Sequence, residues 1–295
     1  MSETQASSNL FEANTTHALR GDYASMRADY TVDQNWGGYS EAEHDRWRRL
    51  YARQSKLLER YADRTFIEGL RALDTADGVP DFEQASDRLE AVTGWRLVGV
   101  PGLIPNDVFF RHLANRRFPV ATWIRREDEL DYLVEPDVFH DFFGHVPLLS
   151  NPTFADYMQS YGAAGLKCID AETDGVLARL YWYMVEFGLI ETDEGLKAYG
   201  AGMLSSMGET IFSVAAPQPN RVRFDRARVL TTDYMVDDFQ KTYFVIRDYA
   251  ELFDAMTDDL PEMVADAAKT ESIDPATTRP GDDLVAPGQP ISQFD

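Results

Sequence analysis

Residues 135–147 read Glu135-Pro136-Asp137-Val138-Phe139-His140-Asp141-Phe142-Phe143-Gly144-His145-Val146-Pro147. The chain has five histidines, and His140 and His145 are the one pair within a few residues of each other. Further along, Glu186 stands inside the apolar run Tyr181-Trp182-Tyr183-Met184-Val185-Glu186-Phe187-Gly188. Burying a carboxylate among such side chains is costly unless a cation pairs with it. A metal ion is one such partner and an arginine is another. Two neutral imidazoles and a carboxylate on one side of a metal leave the opposite positions open, the ligand set of non-haem Fe(II) oxygenases. The plainer reading of the histidines is two ordinary polar residues at a helix end.

The spacing tests the idea. Five residues along an unbroken α-helix turn through about 500°, so His140 and His145 would stand roughly 140° apart and could not easily share an ion. Gly144 suits a left-handed C-terminal position and Pro147 follows helix ends, so the helix is expected to stop between or just after the histidines, with His145 curling back beside His140. A His-Glu-x-x-His zinc-protease helix is excluded, because its spacing is four and Glu follows its first histidine. A zinc hydrolase using the same three ligands and a bound water remains an alternative, as does a non-catalytic binding protein.

Three stretches carry a resemblance: residues 135–147, Tyr-Trp-x-x-Val-Glu-Phe-Gly-Leu at 181–189, and Lys-Ala-Tyr-Gly-Ala-Gly-x-Leu-Ser-Ser at 197–206. Over about Asp33 to Asp248 the chain resembles the pterin-dependent aromatic amino acid hydroxylases, in particular the short bacterial phenylalanine 4-hydroxylases. The resemblance implies a single catalytic domain of that type, mainly α with a small β-sheet, in which His140, His145 and Glu186 hold Fe(II). It implies a monooxygenase that converts L-phenylalanine to L-tyrosine with dioxygen and tetrahydrobiopterin or another tetrahydropterin. Tyrosine and tryptophan hydroxylation are the alternatives within the family.

The same resemblance assigns further residues. Arg125, in Trp123-Ile124-Arg125, falls where the family holds the substrate carboxylate, and a guanidinium suits that task because it binds bidentately. Asp137 is a candidate partner behind Arg125 or His140. Pro136 and Trp182 fall in the aromatic substrate pocket, with Phe187 and Ser205 near its wall. For the pterin, Val100, Gly102, Leu103 and Ile104 supply a loop, Phe109 the stacking ring, and Ala178 and Tyr181 the far side. Asp141 stands where many relatives have Glu, which shortens its reach to the pterin. Val236 takes the place of an Asp characteristic of tyrosine-specific relatives, as expected for a phenylalanine enzyme. Without the resemblance, Phe109 reads as an apolar helix face, Trp182 as core, and Arg125 as one of many arginines.

Composition narrows the setting. A length of 295 residues with 44% hydrophobic and 12% aromatic residues is enough for one sizeable core. No apolar stretch approaches the roughly 20 residues that span a bilayer, and the start Met-Ser-Glu-Thr-Gln-Ala-Ser-Ser carries no signal pattern. Cys168 is the one cysteine, so an intrachain disulfide is excluded and a cytoplasmic location is expected. Fifty acidic residues against 28 basic ones give a net charge of −22, which argues against nucleic acid or an anionic membrane as partner. Lysines are scarce as well, a pattern shared with proteins of salt-tolerant hosts. A monomer without a regulatory domain is expected, since no sustained heptads mark an oligomerising helix.

Along the chain, residues 1–20 read as flexible, 21–270 as the catalytic domain and 271–295, rich in Pro, Gly and Asp, as a disordered tail. Ser40 and Glu43 form a capping box ahead of a helix carrying Trp47, Leu50, Tyr51, Leu57, Leu58 and Tyr61. Helices are expected over 81–92, 106–116, 138–143, 152–166, 173–187 and 249–268. Strands are expected over 96–100, 210–214 and 221–224. The segment Gly200-Ala201-Gly202-Met203-Leu204-Ser205 partly mimics a dinucleotide fingerprint, but no βαβ pattern surrounds it. Its serines lack the Gly-x-Ser-x-Gly elbow of a hydrolase. A tight turn whose glycines allow close approach is the better reading.

Overall fold

The computed structural model describes residues 20–131, 133 and 135–286. The predicted flexible segment lies outside these residues up to position 19. No helix among the described residues is long and apolar enough to cross a membrane.

The chain is mainly helical with two small sheets. Strands β1 (Arg96–Val100) and β2 (Arg117–Ala121) pair in parallel around the connecting helix Asn106–Ala114. The second sheet has the order β4-β3-β6-β5, from β3 (Leu189–Thr192), β4 (Gly195–Ala198), β5 (Asn220–Arg223) and β6 (Thr242–Ile246). In it β3 and β4 form a hairpin, while β6 runs parallel to both β3 and β5.

The helix Glu41–Tyr61 opens on the expected box, with Glu43 accepting the Ser40 N–H at 2.8 Å. Its apolar stripe buries Trp47, Leu50, Leu57, Leu58 and Tyr61. Trp47 meets Phe139 and Phe142 edge-on, with centroids 5.3 and 5.9 Å away, and Phe139 stacks on Phe143 at 4.7 Å. Aromatic edges prefer such geometries. The phenylalanines of residues 139–143 therefore pin one side of that segment in the core and leave its histidines to the other.

Several boundaries differ from expectation. Residues 210–214 belong to a helix, Met207–Ala215, rather than a strand. Their β-branched content suggested a strand, but Thr210, Ser213 and Val214 are buried at helical spacing. The expected helix over 249–268 is two, Tyr249–Asp254 and Leu260–Ala267, with Pro261 in the first turn of the second. The expected helix 173–187 is α-helical only from Asp174 to Tyr181.

The tail prediction is corrected over residues 271–286. Ile273 donates to the Thr231 carbonyl, Arg223 to that of Asp283, and Val285 to that of Arg221. Asp282 forms an ion pair with Arg228 in which both side chains are under a tenth exposed. The polar composition points to disorder, but the open edge of β5 supplies backbone partners that composition does not register.

Candidate metal centre

Nε2 of His145 lies 3.3 Å from Nε2 of His140 and 3.2 Å from Oε1 of Glu186. Nε2 of His140 lies 3.6 Å from Oε2 of the same carboxylate. Donor atoms about 2.1 Å from one ion and at right angles stand roughly 3 Å apart, so these spacings suit three ligands on one face of an ion. Among the described residues this is the one such convergence of three His, Cys, Asp or Glu side chains.

Two π-helical segments bring the ligands together, Phe139–His145 and Trp182–Glu186. The i→i+5 bonding of a π-helix widens each turn, so residues five apart come close to one face. The segment stops just after the histidines, within the expected range, but not by a left-handed Gly144: His145 keeps right-handed helical angles, and a 3₁₀ turn over Val146–Ser150 follows directly. Gly144 serves a different need. A Cβ there would lie 2.9 Å from the Ala201 carbonyl oxygen. Gly200 and Gly202 press on the second π segment in the same way, with Cβ positions 2.4 Å from the Glu186 carbonyl oxygen and 3.2 Å from its Oε2. The backbone N–H of Gly202 helps to hold the Glu186 carboxyl below its usual range. The close approach expected of these glycines is realised, within a short helix Ala201–Leu204.

A ring of hydrogen bonds orients the ligands. Asp137 is fully buried and accepts from Nε and Nη2 of Arg125 at 2.9 and 2.8 Å, from the Arg125 N–H at 2.8 Å and from the His140 N–H at 3.0 Å. It thus caps the segment that carries His140 and locks the guanidinium. Ser205, expected at the substrate wall, lines the cavity with its hydroxyl 2.9 Å from Nδ1 of His140 and 2.9 Å from the Ala201 carbonyl oxygen. The Nδ1 atom of His145 is buried with no partner among the described residues.

Burial dominates the electrostatics. It lowers His140 to about 4, and the neighbouring Glu186 only partly offsets this. Burial also opposes the charge on His145, but there the Glu186 carboxylate wins and raises it. Glu186 itself is held below its usual range, because the two imidazoles outweigh its desolvation. Burial pushes Asp141 up to about 7, and the Ala121 N–H that its Oδ2 accepts at 2.8 Å and the neighbouring His145 offset this only in part.

The three ligands open onto a cavity of about 620 Å³, within the range of small-molecule sites. Val100, Gly102, Leu103, Ile104, Phe109, Asp141, Ala178 and Tyr181 line it, as do Arg125, Pro136, Trp182, Phe187, Ser205 and Val236. Asp137 lies behind this wall, as the partner of both Arg125 and His140. Gly102 has φ of 152°, and a Cβ there would meet Glu135 Oε1 at 2.4 Å, so the loop at that point admits only glycine. The Phe109 ring stands edge-on to Tyr181 at 5.5 Å.

Sequence reading missed several lining residues, among them Tyr234, Phe118, Tyr161 and Met207. Tyr234 stacks on Trp182 at 4.6 Å. A tyrosine two residues before Val236 was the one available signal for it. Nothing local marks Phe118 or Tyr161, which are core residues in the sequence and become cavity wall only through packing.

Comparison with known proteins agrees with this geometry. Residues 6–274 match the family described as biopterin-dependent aromatic amino acid hydroxylase. The phenylalanine-4-hydroxylase of Chromobacterium violaceum is 52% identical over 87% of this chain and 86% of its own. That of Caulobacter vibrioides is 49% identical over 91% and 92%. The crystal structure of the C. violaceum enzyme with bound oxidised Fe(III) matches with a TM-score of 0.85, at 50% identity over 88% of this chain and 96% of that one. The chain belongs to the biopterin-dependent aromatic amino acid hydroxylases, a family of pterin-dependent oxidoreductases.

Proposed function

We propose that this member of the biopterin-dependent hydroxylases is a phenylalanine 4-monooxygenase, using Fe(II), a tetrahydropterin and dioxygen to convert phenylalanine to tyrosine. The observation that carries the reading is the one-sided convergence of His140 Nε2, His145 Nε2 and the Glu186 carboxylate at a cavity with an aromatic wall. The donor set fits iron, since two imidazoles and a carboxylate leave positions free for other ligands. Bound iron and tetrahydropterin together supply the activation of dioxygen, which no side chain can perform.

The protein's own residues bind, orient and exclude water. Ser205 accepts the Nδ1 proton of His140, which turns the Nε2 lone pair toward the metal position. Arg125 has Nε and Nη2 committed to Asp137, while Nη1 makes no hydrogen bond among the described residues and is the group assigned to the amino acid carboxylate. Pro136, Trp182 and Phe187 form the wall assigned to the aromatic ring. The loop at Val100 to Ile104, with Phe109, Ala178 and Tyr181, is assigned to the pterin, and Asp141 to its polar edge. Val236 at the rim offers no hydrogen bond to a para hydroxyl, which favours phenylalanine over tyrosine.

The test is a competition. Fe(II)-loaded protein with tetrahydropterin and dioxygen receives equal phenylalanine, tyrosine and tryptophan, and every hydroxylated product is quantified. Tyrosine formed from phenylalanine as the main product is expected. Mainly hydroxylated tyrosine or tryptophan would reassign the substrate, and no product with iron confirmed bound would overturn the reading.

A further inference from the structure

One buried carboxyl has no part in the chemistry above. Glu209 sits in the helix Met207–Ala215, is 7% exposed and has no ion pair among the described residues. Its Oε1 accepts the Gln240 N–H at 3.1 Å and the Tyr243 hydroxyl at 2.8 Å. The Gln240 side chain in turn closes on Met235, accepting its N–H at 3.0 Å and donating to its carbonyl at 2.7 Å. Both backbone groups of Met235 are thus taken by one side chain, and Met235 lies between Tyr234 and Val236, which line the cavity.

The loop meets the same helix at one further point, where Phe239 packs on Phe212 with centroids 5.2 Å apart. Val236 is 61% exposed and Phe239 36%. Asp233, just before it, is tied by Arg179 at 2.6 Å, while the far end depends on Gln240. Residues 207 and 208 at the start of the Glu209 helix also line the cavity. A carboxyl buried without a cation costs stability that an apolar side chain of the same size would not. Burial pushes this one up to about 7, with Asp238 raising it and Lys241 and its two hydrogen-bond donors lowering it.

We infer that Glu209 is a positioning residue for substrate selection: through Gln240 it clamps the 234–240 loop to the Met207–Ala215 helix and so holds Tyr234 and Val236 over the cavity mouth. The inference rests on the proposed hydroxylation of an aromatic amino acid, but the clamp can be read without turnover.

The experiment compares wild type, Glu209→Ala and Glu209→Gln as Fe(II)-loaded protein. It measures amide hydrogen exchange at residues 235–240, iron stoichiometry, and KM and kcat for phenylalanine. In Glu209→Ala, exchange at 235–240 is expected to speed up and KM to rise about tenfold, as for the loss of one buried hydrogen bond, with iron content and kcat little changed. Glu209→Gln keeps Oε1 as an acceptor and is expected to restore both. Wild-type exchange and KM in Glu209→Ala, or a KM rise that comes only with iron loss, would overturn the inference. Should Glu209→Ala not fold, Gln240→Leu cuts both bonds to Met235, and an unchanged KM there would overturn it equally. A wild type with no turnover on any aromatic amino acid would sink the proposed function alone, since exchange still reports whether Glu209 holds the loop.

Discussion

The Ser205 hydroxyl stands between Nδ1 of His140 and the Ala201 carbonyl oxygen, 2.9 Å from each. A carbonyl can only accept, so the hydroxyl donates to Ala201 and accepts from His140. The Nδ1 position therefore carries the proton and Nε2 presents a lone pair toward Glu186 and His145. Replacing Ser205 by Ala removes the acceptor and frees the ring. Iron affinity is expected to fall about 10–100-fold, measured by competition with a chelator, while far-ultraviolet circular dichroism stays that of wild type.

Gly202→Ala probes the candidate carboxylate ligand without replacing it. The added Cβ would lie 3.0 Å from Cζ of Phe187 and 3.2 Å from Oε2 of Glu186. Both neighbours must yield by a few tenths of an ångström, which turns the carboxylate away from the histidines. Reduced iron stoichiometry in a folded protein is the expected outcome. Full occupancy would mean that Glu186 can shift without losing the ion.

Arg125→Ala is expected to do more than raise KM for the amino acid. The guanidinium balances Asp137, which is fully buried and would be left as an unpaired charge. Breaking such a pair costs roughly 3–5 kcal/mol, so the denaturation midpoint should drop sharply. Asp137 also holds the His140 N–H, so iron binding should weaken with it. A raised KM with unchanged stability would show that Asp137 finds another partner.

Glu209 gives the protein a pH signature. Burial lifts its carboxyl from an ordinary 4.5 to about 7, so the folded protein holds this proton more tightly than the unfolded chain does. The resulting stability is fully present below about pH 4.5 and is lost as pH rises through about 7. Glu209→Gln cannot titrate. The stability difference between it and wild type should therefore change by on the order of 1–3 kcal/mol across this window, read from urea midpoints at fixed salt. A constant difference would place the carboxyl near its ordinary value.

Removing residues 271–295 tests the packing of residues 271–286. The truncation takes away Asp282 and leaves Arg228 nearly buried without its carboxylate. It also strips the partners of Arg221 and Arg223 along β5. A loss of about 3 kcal/mol or more is expected, measured by chemical denaturation. An unchanged midpoint would show that the tail contributes nothing to the fold.

The three candidate metal ligands were legible in sequence because residue type carries them, whereas the pocket residues such as Phe109, Trp182 and Arg125 were named only through the family resemblance. Only imidazole and carboxylate groups serve as these ligands, and Glu186 drew notice because its neighbours Val185 and Phe187 are apolar. The long helix from Glu41 was legible for a similar local reason, since Ser40, Glu43 and the spaced aromatics all lie within a few turns. The strands β2 and β6 were not legible, because short segments buried on both faces show no alternating pattern, and β3 and β4 are only four residues long, too short for a period to show.

By itself, then, the sequence determined which groups could bind a metal and that the chain folds as a mainly helical domain, because donor chemistry and helical periodicity are properties of neighbouring residues. The tertiary structure decided how those groups meet. His140 and His145 share a face because the helix widens to π where Gly144 lets Ala201 press against it. Ser205 sets the imidazole proton from 65 positions away, and Gln240 reaches Glu209 across 31. Hydrogen bonds and close approaches of this kind depend on distance in space, which no local pattern encodes.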